Sequence, residues 1–154
     1  MRRAVYIGLG SNLGDRWQHL RDAVRALREL GPLQVSTVYE SPPVGGPEGQ
    51  GAYLNAVARL ETDLPALMLL THCQALEHVA GRVRRARWGA RTLDLDLLLI
   101  DGERWSQPEL TVPHPHMYER RFVLVPLAEL APGLISDAEL NDAPPLPLRE
   151  VGNL

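Results

Sequence analysis

The stretch TLDLDLLLI, Thr92 to Ile100, is the most leucine-rich run of the chain, and it carries two aspartates. Successive side chains of a β-strand point to opposite faces. Read as a strand, the run sends Leu93, Leu95, Leu97 and Leu99 to one face, where they can pack into a core. Asp94, Asp96, Leu98 and Ile100 take the other face, with the two acidic residues roughly 6–7 Å apart along the backbone. Aspartate is depleted from strands, and two anions held this close repel unless a proton or a cation sits between them. The run therefore predicts a buried strand with a polar site on one of its faces.

Just before it comes GRVRRARWGART, Gly81 to Thr92, an arginine-rich loop with Arg82, Arg84, Arg85, Arg87 and Arg91 around Trp88. Scattered arginines usually coat a solvated surface. Here they run directly into the acidic strand. Hard carboxylate oxygens suit Mg²⁺, which commonly binds one or two carboxylates together with substrate phosphates. Guanidinium groups bind phosphate in bidentate fashion, and a tryptophan can cover a flat base. Acid pair and basic loop together point to Mg²⁺-dependent phosphate chemistry.

Composition removes several alternatives. The chain has 154 residues, a net charge of −3, one cysteine and no lysine. Without lysine there is neither a Schiff-base lysine nor a P-loop lysine. Cys73 alone excludes an internal disulfide and a cysteine-based zinc site. The charge gives no general reason to expect nucleic acid. An RNA-binding module is a rival on the strength of the arginine loop and Trp88, but Asp94 and Asp96 beside that loop would repel an RNA backbone. No apolar run reaches membrane-spanning length. The apolar run in MRRAVYIGLGSNLG is too short for a signal peptide, so the expected location is cytoplasmic.

The chain outside these two segments reads as alternating strands and helices. Ala4 to Leu9 is a buried strand, and Asp15 to Leu30 has helical periodicity closed by Gly31-Pro32. Leu33 to Tyr39 returns to strand character. Ser41 to Gly51, SPPVGGPEGQG, has three prolines and four glycines and reads as a long loop. Tyr53 to Glu61 follows as a strand, then Pro65 to Val79 as a helix, Thr92 to Asp101 as a strand and Arg121 to Leu130 as a helix. The tail reads as mostly irregular. The order β-α-β-β-α-β predicts one α/β (α+β) domain over residues 1–154. Its expected form is a ferredoxin-like three-layer sandwich, a mainly antiparallel sheet flanked by helices. The glycines of GLGSNLGD fit no nucleotide fingerprint and read as a strand-to-helix turn, with Asn12 or Asp15 as a helix cap. His114 and His116 lack a third nitrogen or sulfur ligand for zinc. Phe122, Tyr53 and Asn55, taken alone, are ordinary core or strand residues.

Four segments, YIGLGSNLGDR, SPPVGGPEGQGAYLNAVARLET, GRVRRARWGARTLDLDLLLIDG and LTVPHPHMYERRFVLVPLAELAP, closely resemble the 6-hydroxymethyl-7,8-dihydropterin pyrophosphokinase family, in the family's order. RWGxRTLDLD followed by LTVPH is highly specific. The resemblance implies a transferase of folate biosynthesis that moves the β,γ-pyrophosphoryl group of ATP to the pterin hydroxymethyl oxygen and releases AMP. It implies two Mg²⁺ ions on Asp94 and Asp96, and catalytic phosphate contacts from Arg82 and Arg91. Gln74, Glu77, Arg84, Trp88, His114 and Arg120 would serve the ATP side. Tyr53 and Phe122 would sandwich the pterin, Asn55 and the segment containing Ser41, Pro42 and Val44 would meet its polar edge, and Trp88 would close over it. The expected partners are these two small molecules, with no nucleic acid or membrane, in a monomer or weak homo-oligomer.

Overall fold

Residues 3–11 and 94–100 are adjacent antiparallel strands, and their pairing sets the floor of everything that follows. A computed structural model describes residues 1–44, 48–81 and 92–154. In chain order its main elements are β1 (Arg3–Ser11), α1 (Arg16–Arg28), β2 (Leu33–Val35), β3 (Val38–Ser41), β4 (Tyr53–Thr62), α2 (Ala66–Val79), β5 (Asp94–Ile100), β6 (Trp105–Ser106), β7 (Thr111–Val112), α3 (Arg121–Leu130), α4 (Asp137–Asp142) and β8 (Arg149–Gly152). The main sheet runs β5-β1-β4-β3-β8 and is antiparallel throughout, with β2 also paired to β4. Helices α1 and α2 cover one face and α3 the other, so the three-layer α+β sandwich expected from the sequence is what forms.

Each face of the sheet has its own apolar core. Val5, Ile7 and Leu9 of β1 meet Leu20, Val24 and Leu27 of α1 and Leu69 and Cys73 of α2. On the far face Tyr6, Val57 and Leu98 meet Val123, Leu124 and Leu127 of α3. Asp15 caps α1, its carboxylate accepting from the Gln18 N–H.

The structure corrects several expectations. Alternation in β5 breaks at a bulge: Ile7 pairs with Leu97 and Tyr6 with Leu99, which leaves Leu98 as the extra residue. Leu99 and Ile100 therefore exchange faces, and Ile100 joins Leu93, Leu95 and Leu97 in the α1/α2 core. The predicted strand Leu33–Tyr39 is split at Ser36-Thr37. Ser36 takes part in β4 pairing through its own N–H and its hydroxyl, both bonded to the Val57 backbone, and the Thr37 N–H goes instead to Glu129 of α3.

Gly8 and Gly10 lie inside β1 rather than in a turn; only Gly14, at φ 73°, serves the turn. The tail is also more regular than expected. Ser136 and Glu139 form a reciprocal capping box that starts α4, and β8 completes the sheet. The hairpin β6–β7 has no counterpart in the sequence reading. Among the described residues no helix is long and apolar enough to cross a membrane.

Candidate active site

Gly10 pairs with Asp94 and Gly8 with Asp96 across the β1–β5 ladder. Two residues without side chains thus face two carboxylates, and a groove opens above the sheet. It widens into a cleft of about 450 Å³ whose walls come from β3, β4, α2, β5 and the segment leading into α3. Twelve of the residues named from sequence line it: Ser41, Pro42, Val44, Tyr53, Asn55, Gln74, Glu77, Asp94, Asp96, His114, Arg120 and Phe122. Arg82, Arg84, Trp88 and Arg91 lie outside the described residues, as does the centre of the Ser41–Gly51 loop.

One end of the cleft is aromatic and amide-lined. Asn55 is 3% exposed, and its Nδ2 donates to Tyr39 O at 3.1 Å and to Ser41 Oγ at 2.9 Å. A carbonyl can only accept, so the amide orientation is fixed and Oδ1 is the end turned away from β3. Tyr53 stands beside Gly10, where an added Cβ would lie 3.5 Å from its ring. The Arg120 guanidinium sits 5.8 Å from the centre of the Phe122 ring, within cation–π range, and its charge also reaches His114.

The other end is charged. Glu77, 6% exposed on α2, accepts the Leu95 N–H at 2.9 Å, so the backbone between Asp94 and Asp96 is pinned to that helix. The His116 N–H donates to His114 Nδ1 at 3.2 Å, which puts the His114 ring proton on Nε2. Burial, with the nearby Arg120 and His116 charges, pushes the His114 imidazole down to about 4, against a smaller upward pull from Asp94. His114 is thus a neutral imidazole with one N–H to offer. A recess of about 250 Å³ adjoins this end, walled by Leu70, Leu97 and Leu110 and sharing Asp96 and His114 with the main cleft.

Asp94 and Asp96 fit a hard divalent cation: two carboxylates two residues apart, half-buried on one strand face, in a groove kept open by glycine. Among the described residues no group of three or more His, Cys, Asp or Glu could hold a metal unaided. Mg²⁺ commonly binds one or two carboxylates and takes its other oxygens from water and substrate phosphates. Gly8 and Gly10 are the site residues that sequence reasoning missed. The signal was available, since Gly at every second position of a strand marks close approach.

The sequence profile described as 7,8-dihydro-6-hydroxymethylpterin-pyrophosphokinase matches residues 6–132. The chain is 47% identical over 133 residues to the 2-amino-4-hydroxy-6-hydroxymethyldihydropteridine pyrophosphokinase of Bacillus subtilis (strain 168), covering 84% of this chain and 79% of that one. With the protein of the same name from Pseudomonas aeruginosa it shares 47% over 137 residues, covering 87% and 84%. The crystal structure of an HPPK-DHPS in complex with substrates superimposes with a TM-score of 0.63 at 12% identity, over 92% of this chain and 43% of that longer one. That likeness speaks for the fold alone.

Proposed function

We propose a function from one premise: the chain belongs to the 7,8-dihydro-6-hydroxymethylpterin-pyrophosphokinase family. It transfers the pyrophosphoryl group of ATP to 6-hydroxymethyl-7,8-dihydropterin, giving the pterin diphosphate and AMP, a step of folate biosynthesis. The hydroxymethyl oxygen attacks the β-phosphorus, the bond from that phosphorus to the oxygen of AMP breaks, and the hydroxyl proton is released. The observation that carries this reading is a cleft lined by both an aromatic, amide-bearing group of residues and a carboxylate-and-imidazole group.

The pterin takes the first end, between Tyr53 and Phe122. Asn55 there can only accept, because its N–H groups are already engaged by β3, so it receives an N–H of the pterin edge. Ser41, Pro42 and Val44 close that edge. The triphosphate takes the second end. His114 donates one hydrogen bond from Nε2 without bringing a second positive charge, while Arg120 supplies a fixed one. Gln74 and Glu77 border the nucleotide, and the leucine-walled recess suits a base. Two Mg²⁺ held by Asp94, Asp96 and phosphate oxygens would spread the charge that builds on attacking and leaving oxygens. Arg82 and Arg91 are assigned to the developing charge, with Arg84 and Trp88 beside the nucleotide and Trp88 closing over the pterin. Catalysis is then mostly positioning and electrostatics, with no strong protein base required. The chain works as a single cytoplasmic domain over 1–154, monomeric or weakly self-associating.

The test is an assay for AMP and the pterin diphosphate from ATP, with and without the pterin alcohol. AMP that requires the pterin and matches the diphosphate mole for mole supports the reading. AMP or ADP released at the same rate without pterin would make the chain a phosphohydrolase instead.

A further inference from the structure

We propose that the Arg16–Glu40–Arg149 ion triad and strand β8 position the acceptor end of the cleft, acting through β3 on Ser41 and Asn55. The inference rests on the reading above, in which that end receives the pterin. Asn55 points where it does because both amide protons are held by β3, at Tyr39 O and Ser41 Oγ. The placement of β3 therefore sets the placement of the Asn55 acceptor.

β3 is only four residues long, follows the break at Ser36-Thr37 and runs into Pro42-Pro43. Its inner edge pairs with β4 and its outer edge with β8, where Tyr39 faces Glu150 and Glu40 faces Arg149. Without β8 that outer edge would be open to water. Tyr39 is held on the α3 side by its hydroxyl, which donates to Glu129 at 2.9 Å. Glu40 points the opposite way, and its carboxylate is gripped from two directions. Oε1 accepts from Arg149 at 2.6 Å, and Oε2 from Arg16 at 3.0 Å. The same Arg16 nitrogen donates to Ala52 O at 3.0 Å, one residue before Tyr53.

Arg16 thus ties together the start of α1, the middle of β3 and the entry to β4. These contacts flank both Ser41 and Tyr53. Hydrogen bonds from Arg149 and Arg16 hold the Glu40 carboxyl below its usual range, so the triad stays charged at neutral pH. The end of β8 seats against α1: Gly152, at φ 140°, passes where a Cβ would be 3.3 Å from the Trp17 ring. None of the three charged residues lines the cleft. Arg149 also lies beyond the segment matched by the family profile, which ends at residue 132, so the outer half of the brace is contributed by the chain's own tail.

The test compares E40A, R149A, R149K and the double variant E40A/R149A in the full chain. The measurements are kcat, both KM values and thermal midpoints. Because the Arg149 side chain is 73% exposed, R149A is expected to raise the pterin KM by about threefold to fivefold, and E40A by roughly tenfold. The ATP KM should stay within about twofold in every variant, and R149K should recover most of the loss. The double variant should match E40A, because the two side chains act through one contact. Unchanged pterin KM with a lowered melting point, or an ATP KM that rises in step, would overturn the proposal. R149A and R149K decide the matter if E40A does not fold. Fluorescence titration of the pterin alcohol with a non-hydrolysable ATP analogue ranks the same affinities without turnover, so a failed transfer reaction and a failed brace give different results.

Discussion

The carboxylate of Glu77 accepts the backbone N–H of Leu95 at 2.9 Å, from a helix to the edge strand between the two cleft aspartates. Among the described residues, β5 has β1 on one side only within the main sheet. Its outward N–H at Leu95 needs a partner, and Glu77 supplies one inside a nearly closed environment. The aspartates on either side inherit their position from that bond.

Replacing Glu77 by Ala should therefore cost about 1–3 kcal/mol of stability, the penalty for stranding a buried donor. It should also lower kcat by roughly tenfold or more, because small misplacements of reacting groups are expensive. Glu77→Gln keeps an acceptor oxygen and should retain most of both. Urea unfolding together with steady-state kinetics reads the two effects. If E77A is as stable as the parent and only the ATP KM rises, Glu77 is a nucleotide contact and not a peg for the strand.

Gly10 and Gly8 give a prediction of opposite sign for stability and function. A Cβ at Gly10 would meet Tyr53 at 3.5 Å and Asn55 Oδ1 at 3.9 Å, both ordinary contacts. G10A should fold as well as the parent, or gain about 0.5–1 kcal/mol from reduced chain entropy. The new methyl nevertheless projects onto the cleft floor at the acceptor end. The pterin KM is expected to rise by roughly tenfold, comparable to the penalty for one misfitting methyl group. Gly8→Ala, whose Cβ meets Leu98 at 3.5 Å, should disturb the pterin less. Equal pterin KM values in G10A and the parent would show that the floor is not where the ring lies.

The contrast between β5 and β1 shows how far sequence could reach. Period-two alternation put Asp94 and Asp96 on one face because that rule is local. The bulge at Leu98 was invisible because it arises only when β5 is laid against β1. Gly8 and Gly10 were misread because glycine clusters usually mark turns, and their reason for being glycine lies in the partners across the sheet. The split at Thr37 likewise depends on Glu129, ninety-two positions away. By contrast α3 begins and ends where its periodicity says. The Ser136–Glu139 capping box is legible as S-x-x-E, although the prolines that follow it make the tail read as irregular.

His114 makes the chain's pH response predictable. A free imidazole titrates near 6.5, whereas burial and the flanking positive charges push the folded one down to about 4. As pH falls from about 6.5 toward 4, the unfolded chain takes up a proton that the folded chain refuses. Stability is therefore lost across that window and the loss levels off below it. His114→Asn should remove this component, so that the stability difference between variant and parent changes between pH 7 and pH 4. Urea unfolding at several pH values measures it. Parallel curves for the two proteins would mean that His114 titrates like a free imidazole.

Asp96 carries the strictest expectation. It faces Gly8 across the ladder and lines the cleft, half-buried on β5. Asp96→Asn preserves shape and removes one charge; Asp96→Ala removes the ligand altogether. Since Glu77 and the β1 ladder hold the strand from both sides, both variants should keep the parent's fold. Turnover should drop by orders of magnitude in each, with a raised Mg²⁺ requirement in D96N, while pterin affinity shifts by only a few fold. That split is expected on the proposed placement, in which Asn55, Tyr53 and Phe122 would hold the acceptor from elements other than β5. A D96A protein that turns over normally with Mg²⁺ would remove the carboxylate pair from the chemistry. One that loses pterin binding as completely as turnover would show that the two ends of the cleft are not separable.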